Sequence, residues 1–276
     1  MHPAPVRTGW QPGSRIEGGW HLRALLGRGA TSEVWEADGP AGPVALKALH
    51  PELASRPGMA EALRREARKG RSLHHPALVR VLGEGEAEGR PFIVMELLRG
   101  APLRNAWPPP LSRTRVAALL AGPAGALARL HAAGLVHGDV TPGNLFVEES
   151  GAVRLLDLGA ARMAAGSALD ESGWAPPHGL PLATPRWAAP ERLRGDPPDP
   201  RDDIHSLAKV AVALLAGPPT RMLRAALGPR ETRPSCARQL IASLRPWGLL
   251  RAGRLLMDEM TGRAAPSDVM WEACHV

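Results

Sequence analysis

The sequence predicts an α+β protein of two lobes: a small antiparallel β-sheet lobe carrying one main helix, then a larger, mainly helical lobe, with a cleft between them. Short β-like segments dominate from Trp20 to about Leu98, and helical patterning takes over from about Leu103. A length of 276 residues is enough for one large domain or two small ones with a buried core.

Residues 1–18 are rich in Pro, Gly and polar groups and read as a flexible tail. The segments HLRALLG, SEVWEA, PVALKAL, VRVLG and FIVMELL have strand lengths and strand-like composition. One helical segment, Met59 to Leu73, interrupts them. Together these make the first lobe, residues 19–98. RVAALLAGPAGALARLHAAG reads as a long helix in which Gly122-Pro123 predicts a kink. NLFVEE and AVRLLDLG read as two short strands, and a Pro- and Gly-rich loop covers about Ala164 to Pro190. IHSLAKVAVALLAG reads as a buried helix stopped by Gly217 and two prolines. The second lobe spans residues 99–245. Residues 246–276 read as a helical extension with Leu249, Leu256 and Met260 on one face, packing onto that lobe.

Composition narrows the function classes. No apolar run approaches the roughly 18 to 20 residues that a membrane span needs. The start, MHPAPVRTGWQPG, lacks the basic and apolar regions of a secretory signal, so a cytoplasmic location is expected. Cys236 and Cys274 are the only cysteines, too few and too far apart for a disulfide framework or a zinc cluster. The 34 basic residues outnumber 27 acidic ones, but all except Lys47, Lys69 and Lys209 are arginines spread along the whole chain. That pattern reads as coding bias in a GC-rich genome. With 2 Phe, 8 Trp and no Tyr, stacking platforms for single strands are scarce, and no nucleic-acid partner is expected.

Leu26-Gly27-Arg28-Gly29-Ala30-Thr31-Ser32-Glu33-Val34 is a turn whose backbone amides can approach phosphate oxygens. A dinucleotide-binding unit would follow it with a helix. Here β-like segments follow, so the loop belongs to a hairpin. Val44-Ala45-Leu46-Lys47 ends a strand with a lysine, which by itself fits a snorkelling edge residue as well as a phosphate ligand. Glu66 lies 19 residues later in EALRREARKGRSL, and a pair with Lys47 bridging strand and helix would hold the ammonium where it meets phosphate oxygens. LVHGDVTPGNLFV holds His137, Asp139 and Asn144, and Asp157 follows in LLDLGAAR. Asn144 and Asp157 flank a two-strand hairpin, so their oxygens can converge on Mg²⁺, which accepts few protein oxygens beside waters and phosphates. Asp139 is then free to orient an attacking hydroxyl and accept its proton.

With these residues in place the chain resembles a eukaryotic-type protein kinase domain of the bacterial serine/threonine class, from about Trp20 to Leu244. The motifs are Gly27-x-Gly29-x-x-Ser32-x-Val34, Val44-Ala45-Leu46-Lys47, Glu66, His75-Pro76, Met95-Glu96, His137-Gly-Asp139-x-x-x-x-Asn144, Asp157-Leu-Gly159, Ala189-Pro190-Glu191 and Asp203-Ile-His-Ser-Leu. The resemblance implies that Gly27, Gly29 and Ser32 cover the ATP phosphates, that Leu26 is a further nucleotide-binding residue, and that Lys47 binds the phosphates while paired with Glu66. It implies that Val34, Ala45 and Phe146 sandwich the adenine, that Met95 sits behind it, and that the backbones of Glu96 and Leu98 bond its edge. Asp139 would be the catalytic base, Asn144 and Asp157 would hold Mg²⁺, and Thr184 would contact Asp139. Glu191 would pair with Arg233, and Asp203 would brace the catalytic loop. The partner implied is a protein substrate with a Ser or Thr acceptor; the resemblance leaves the oligomeric state open.

The departures from the family pattern are as informative. Ser32 replaces a glycine. Gly138 replaces the arginine that usually receives a phosphorylated activation loop, so control by that route is not expected; Ser167, Ser172 and Thr184 remain candidate phosphorylation sites. Thr141 replaces a lysine that touches the transferred phosphate. A cation worth about 10³ in rate corresponds to about 4 kcal/mol, and Arg186 is a candidate substitute. Gly70 replaces an apolar side chain on the Glu66 helix, so this helix is expected to be loosely held and to need a regulatory partner or ligand. Only 12 residues separate LLAGPP from Thr232-Arg-Pro-Ser, so most of the family's substrate-docking helix region is missing. The basic cluster from Arg64 to Arg71 reads as a solvated helix face. Two other functions remain open: a pseudokinase scaffold, favoured by Thr141, Gly70 and the deletion, and a small-molecule phosphotransferase of the aminoglycoside type.

Overall fold

The strands of the first lobe form where each can bury a face. The computed structural model describes residues 9–106, 110–165 and 184–245. In it β1 (Arg15–Ile16), β2 (Trp20–Arg28), β3 (Ser32–Gly39), β4 (Gly42–Leu49), β5 (Val81–Ala87) and β6 (Arg90–Glu96) make one antiparallel sheet in the order β1-β2-β3-β4-β6-β5. Between β4 and β5 come α1 (Pro51–Ala54) and α2 (Met59–Ser72). Strand β4 is a near-continuous apolar run because both its faces are covered. Val44, Leu46 and Ala48 join Leu22, Trp35 and Phe92 on one side. Leu49 packs with Leu63, Ala67 and Ile93 on the other, the side that faces α2. Lys47 is two residues from Leu49 and therefore shares that face.

From Trp10 onward, residues expected in the flexible tail are instead packed on the sheet. Trp10 is buried, with the Arg90 guanidinium 4.3 Å from its ring centroid and Phe92 edge-on at 6.0 Å. Arg15 and Ile16 pair with His21 and Trp20. A two-residue strand among glycines and prolines carries no alternation, so composition alone misassigns it. Residues 1–8 of that tail lie outside the described residues.

The second lobe contains β7 (Gly100–Pro102), α3 (Arg113–Ala132), β8 (Leu135–Val136), β9 (Leu145–Glu148), β10 (Val153–Leu155), β11 (Arg162–Met163), α4 (Pro190–Arg194), α5 (Pro200–Leu214), α6 (Arg221–Ala226), a 3₁₀ turn (Arg230–Thr232) and α7 (Ala237–Ala242). Leu120, Leu127 and Leu130 of α3 share a core with Ile204, Leu207 and Leu214 of α5. Helix α3 starts at Ser112, whose side chain accepts from the Arg115 N–H, and continues through Pro123. Helix α5 begins before its apolar run because Asp199 and Asp202 form a reciprocal capping box around Pro200.

The lobes share chain as well as surface. Leu73, Ala77 and Leu78, within the expected first lobe, belong to the core of the second. There the Leu155 N–H donates to the Ala77 carbonyl at 2.7 Å. This anchors the segment leaving α2 beside the hairpin that carries Asp157. Among the described residues no helix is long and apolar enough to cross a membrane. The expected 246–276 extension, with Leu249, Leu256 and Met260, lies outside the described residues.

Candidate active site

Helix α2 turns Met59, Leu63, Glu66, Ala67 and Gly70 inward at helical spacing, so its one buried carboxylate rides on the apolar stripe. Glu66 meets Lys47, which β4 delivers opposite Val34 of β3 and Ile93 of β6. The Lys47 ammonium donates to Glu66 Oε1 at 2.7 Å and to Asp157 Oδ1 at 2.8 Å. The three groups, from three separate elements, thus meet at the seam between the lobes. Burial pushes the Glu66 carboxyl up to about 7, against the pull of Lys47 and with the help of the Asp157 charge. The half-buried position of Asp157 at the seam would also raise it, but Lys47 and the Gly159 N–H bring it down to about 2. Burial would lower the Lys47 amine; Asp157 and Glu66 overrule that and hold it above its ordinary range.

Asp157 has φ of 61°, a left-handed conformation that costs a non-glycine residue about 1–2 kcal/mol. The bonds from Lys47 and from the Gly159 N–H, 2.9 Å to Oδ1, hold it there. Both converge on Oδ1, which leaves Oδ2 for another ligand, and the side chain is 41% exposed.

The loop from His137 to Asn144 is fixed from below by Asp203 of α5. Its buried carboxylate accepts from the His137 N–H and the Gly138 N–H, each at 2.8 Å, and from His131 Nε2 of α3 at 2.8 Å. Burial opposes its charge, but these donors hold Asp203 below the usual carboxylate range. His137 donates from Nε2 to the Leu156 carbonyl at 3.0 Å, which ties the loop to the Asp157 strand. Asp139 then accepts from Asn144 Nδ2 at 2.9 Å and from the Thr184 main-chain N–H at 2.9 Å. The Thr184 link is main-chain, not a hydroxyl bond. Asn144 donates through its amide nitrogen, so its Oδ1 is the atom available to a cation.

Nucleotide-side residues lie around the same seam. Gly27 pairs with Val34 across β2 and β3, and Ala45 pairs with Met95 across β4 and β6. Leu26 is exposed, and Ser32 is buried. The turn closes through the Gly29 N–H to the Ser32 carbonyl at 2.8 Å, and His50 Nε2 holds the Gly29 carbonyl at 2.8 Å. The sequence offered no sign of this His50 anchor. Met95 packs against the α2 cluster. The Glu96 N–H is committed to the Arg80 carbonyl at 3.0 Å, whereas the Leu98 main chain makes no hydrogen bond among the described residues. Phe146 sits on β9 opposite Pro102 and Arg154.

The departures acquire structural reasons. Thr141 is buried, and its Oγ1 accepts from the Asn144 N–H at 3.3 Å, so it stiffens the loop instead of reaching outward. Gly138 has φ of 80°, and a β-carbon there would lie 2.9 Å from both the Ala160 carbonyl and Arg192 Nη2. Gly70 is not a gap: a β-carbon on it would lie 2.3 Å from Val81 Cγ2. Val81 fills the space, so the packing reason for a loosely held helix, and for the partner it would need, is removed. The basic face of α2 is paired, Arg64 with Glu86 at 3.0 Å and both Arg65 and Arg68 with Glu61. Arg233 makes a two-pronged ion pair with Glu191, at 2.9 and 2.8 Å. Between α5 and Thr232 only the short α6 remains. Ser167 and Ser172 lie outside the described residues.

Among the described residues no cluster of three or more His, Cys, Asp or Glu could cage a metal. Asp157 and Asn144 fit a magnesium ion whose coordination is completed by phosphates and water, not a self-sufficient protein site.

Comparison with known proteins agrees with this geometry. The family model for the protein kinase domain matches residues 20–227. The DNA damage-responsive serine/threonine-protein kinase RqkA of Deinococcus radiodurans is 35% identical over 217 residues, covering 75% of this chain and 31% of that protein. Serine/threonine-protein kinase PknA of Mycobacterium tuberculosis is 34% identical over 214 residues, 74% of this chain and 48% of that protein. The chain thus spans between about a third and a half of these relatives. The crystal structure of the Mycobacterium tuberculosis PknI kinase domain matches with a TM-score of 0.65 at 25% identity, covering 86% of this chain and 98% of that one.

Proposed function

Because the chain belongs to the protein kinase domain family, we propose that it is an ATP- and Mg²⁺-dependent serine/threonine protein kinase. The observation that carries this is the meeting of Lys47, Glu66 and Asp157 within 2.8 Å contacts at the seam, beside an Asp139 oriented by Asn144 and Thr184. Lys47, held in place by Glu66, binds the α- and β-phosphates. Gly27, Gly29 and Ser32 cover the triphosphate from the β2–β3 turn, and Leu26, Val34, Ala45, Met95, Phe146 and the Glu96–Leu98 backbone enclose the base. Asp157 and Asn144 hold Mg²⁺, which supplies charge neutralisation on the phosphates. Asp139 orients the acceptor hydroxyl and takes its proton as the new oxygen–phosphorus bond forms and the bond to ADP breaks. Such catalysis is mostly positioning and electrostatics.

The partner is a protein offering a Ser or Thr hydroxyl, and the work is done in the cytoplasm. The scaffold reading is weakened because every charged member of the set is retained and spatially assembled. The small-molecule reading is weakened by the buried Glu191–Arg233 pair beneath the segment that follows Thr184.

The test is incubation with γ-labelled ATP and Mg²⁺, alone and with generic acceptors, beside an Asp157→Asn variant. Label on Ser or Thr that vanishes in the variant is the expected result. Nucleotide-induced thermal stabilisation without transfer would support the scaffold, and transfer confined to aminoglycosides the small-molecule enzyme.

A further inference from the structure

A cavity of 580 Å³ opens beside the catalytic loop, lined by Arg104, Thr141, Gly143, Thr184, Arg186 and Trp187 among others. Thr184 is the residue whose N–H holds Asp139, so this cavity adjoins, through Thr184, the carboxylate proposed to take the acceptor proton. Two arginines enter it from opposite sides in sequence. Arg104 is fixed at its backbone by the Pro142 carbonyl, 3.0 Å away. Its Nη1 lies over Gly143, 3.2 Å from where a β-carbon would be. Arg186 leans on the Trp187 ring, 5.4 Å from its centroid. Both are exposed.

Like Arg56, Arg80 and Arg221 among the described residues, neither meets a carboxylate; what sets these two apart is that they line the cavity beside the catalytic loop. Arg64, Arg68, Arg90, Arg154, Arg230 and Arg233 all meet carboxylates. Among the described residues neither Arg104 nor Arg186 has such a partner, and no Asp or Glu lines the cavity. Thr141 contributes no charge. Two uncompensated guanidiniums therefore flank the route to Asp139, in the fork geometry that suits carboxylate or phosphate oxygens.

We propose that Arg104 and Arg186 select acceptor peptides that carry anionic side chains, carboxylate or phosphoserine, next to the Ser or Thr. The inference rests on the kinase reading and adds its substrate class. Exposed ion pairs are individually weak, so the two together are expected to favour anionic peptides by on the order of tenfold.

The experiment measures kcat/KM for four series of Ser peptides, flanked by Glu, phosphoserine, Gln or Lys, with wild type, R104Q/R186Q and R104K/R186K. The expected result is an anionic series exceeding the Gln series about tenfold in wild type, with the Lys series below it. The preferred series names the anion. The preference should collapse toward one in R104Q/R186Q and persist in R104K/R186K. Equal transfer to all four series would overturn this inference and leave the kinase reading standing. A preference that survives R104Q/R186Q, or a uniform fall in kcat with every series, would also overturn it, the latter assigning the charge to the transferred phosphoryl group. No transfer to any peptide and no self-labelling would overturn both readings.

Discussion

Arg192 occupies the space that a side chain on Gly138 would need. Its Nη2 atom lies 2.9 Å from the β-carbon position, and the glycine has φ of 80°. An arginine is usual at this point in the resembled family, yet here the guanidinium arrives from α4, on a chain segment more than fifty residues away. Restoring the usual residue should therefore harm the protein. Gly138→Arg is expected to lower stability by roughly 2 kcal/mol or more, from steric overlap and left-handed strain together. Thermal unfolding measures it, and Arg192→Ala in the same chain should recover part of the loss. A neutral or stabilising Gly138→Arg would show that the space is not occupied.

Gly70 and Val81 are a second pair of the same kind. In an exposed helix, Gly→Ala would gain about 1 kcal/mol of propensity. Here the steric term wins, because Val81 Cγ2 is 2.3 Å from the added carbon. Gly70→Ala is expected to cost about 1–3 kcal/mol in denaturant unfolding, and Val81→Ala to offset much of it in the double variant.

The Thr184 contact with Asp139 is made by the main chain, so side-chain and backbone changes should separate. Thr184→Ala is expected to retain phosphoryl transfer within about threefold. Thr184→Pro removes the donor to a carboxylate and should reduce transfer by about tenfold or more. Equal losses in steady-state assays of the two variants would place the interaction in the hydroxyl.

His205 of α5 links stability to pH. Its ring is buried, the Ala226 carbonyl accepts from it, and Nδ1 finds no partner among the described residues. Burial, with the nearby charges of Arg233 and Lys209, lowers its pKa from 6.5 to about 4, against the Ala226 carbonyl and Glu191. The folded state thus binds the proton more weakly than the unfolded chain. The contribution is complete above pH 6.5 and is lost as pH falls toward 4, by roughly 3 kcal/mol in all. Denaturant unfolding across this range should show the slope, and His205→Phe should flatten it. A slope unchanged in that variant would assign it to other groups.

Much of this architecture was readable before any coordinates. The β2–β4 strands and α2 fall within a few residues of their expected limits because alternation and helical spacing are local properties. Lys47, Glu66, Asp139, Asn144 and Asp157 were legible as a set because their residue types are chemically constrained. What was missed is tertiary. Trp10 lies in a Pro- and Gly-rich stretch and joins the sheet core through distant residues such as Arg90 and Phe92. His131 and Asp203 meet across 72 residues. The filling of Gly70 by Val81 leaves no mark in either segment. Arg104 looks like any other arginine until the fold sets it over Gly143.

The central claim is that a triphosphate binds at Lys47, between the lobes. Lysines number only three, Lys47, Lys69 and Lys209, so an acyl-phosphate derivative of ATP, which transfers its acyl group to an amine beside the bound phosphates, can discriminate them by peptide mass spectrometry. The account predicts acylation of Lys47, suppressed by excess ATP with Mg²⁺, and little at the other two. Labelling of Lys69 or Lys209 in preference to Lys47, or labelling of Lys47 that ATP does not compete, would contradict it.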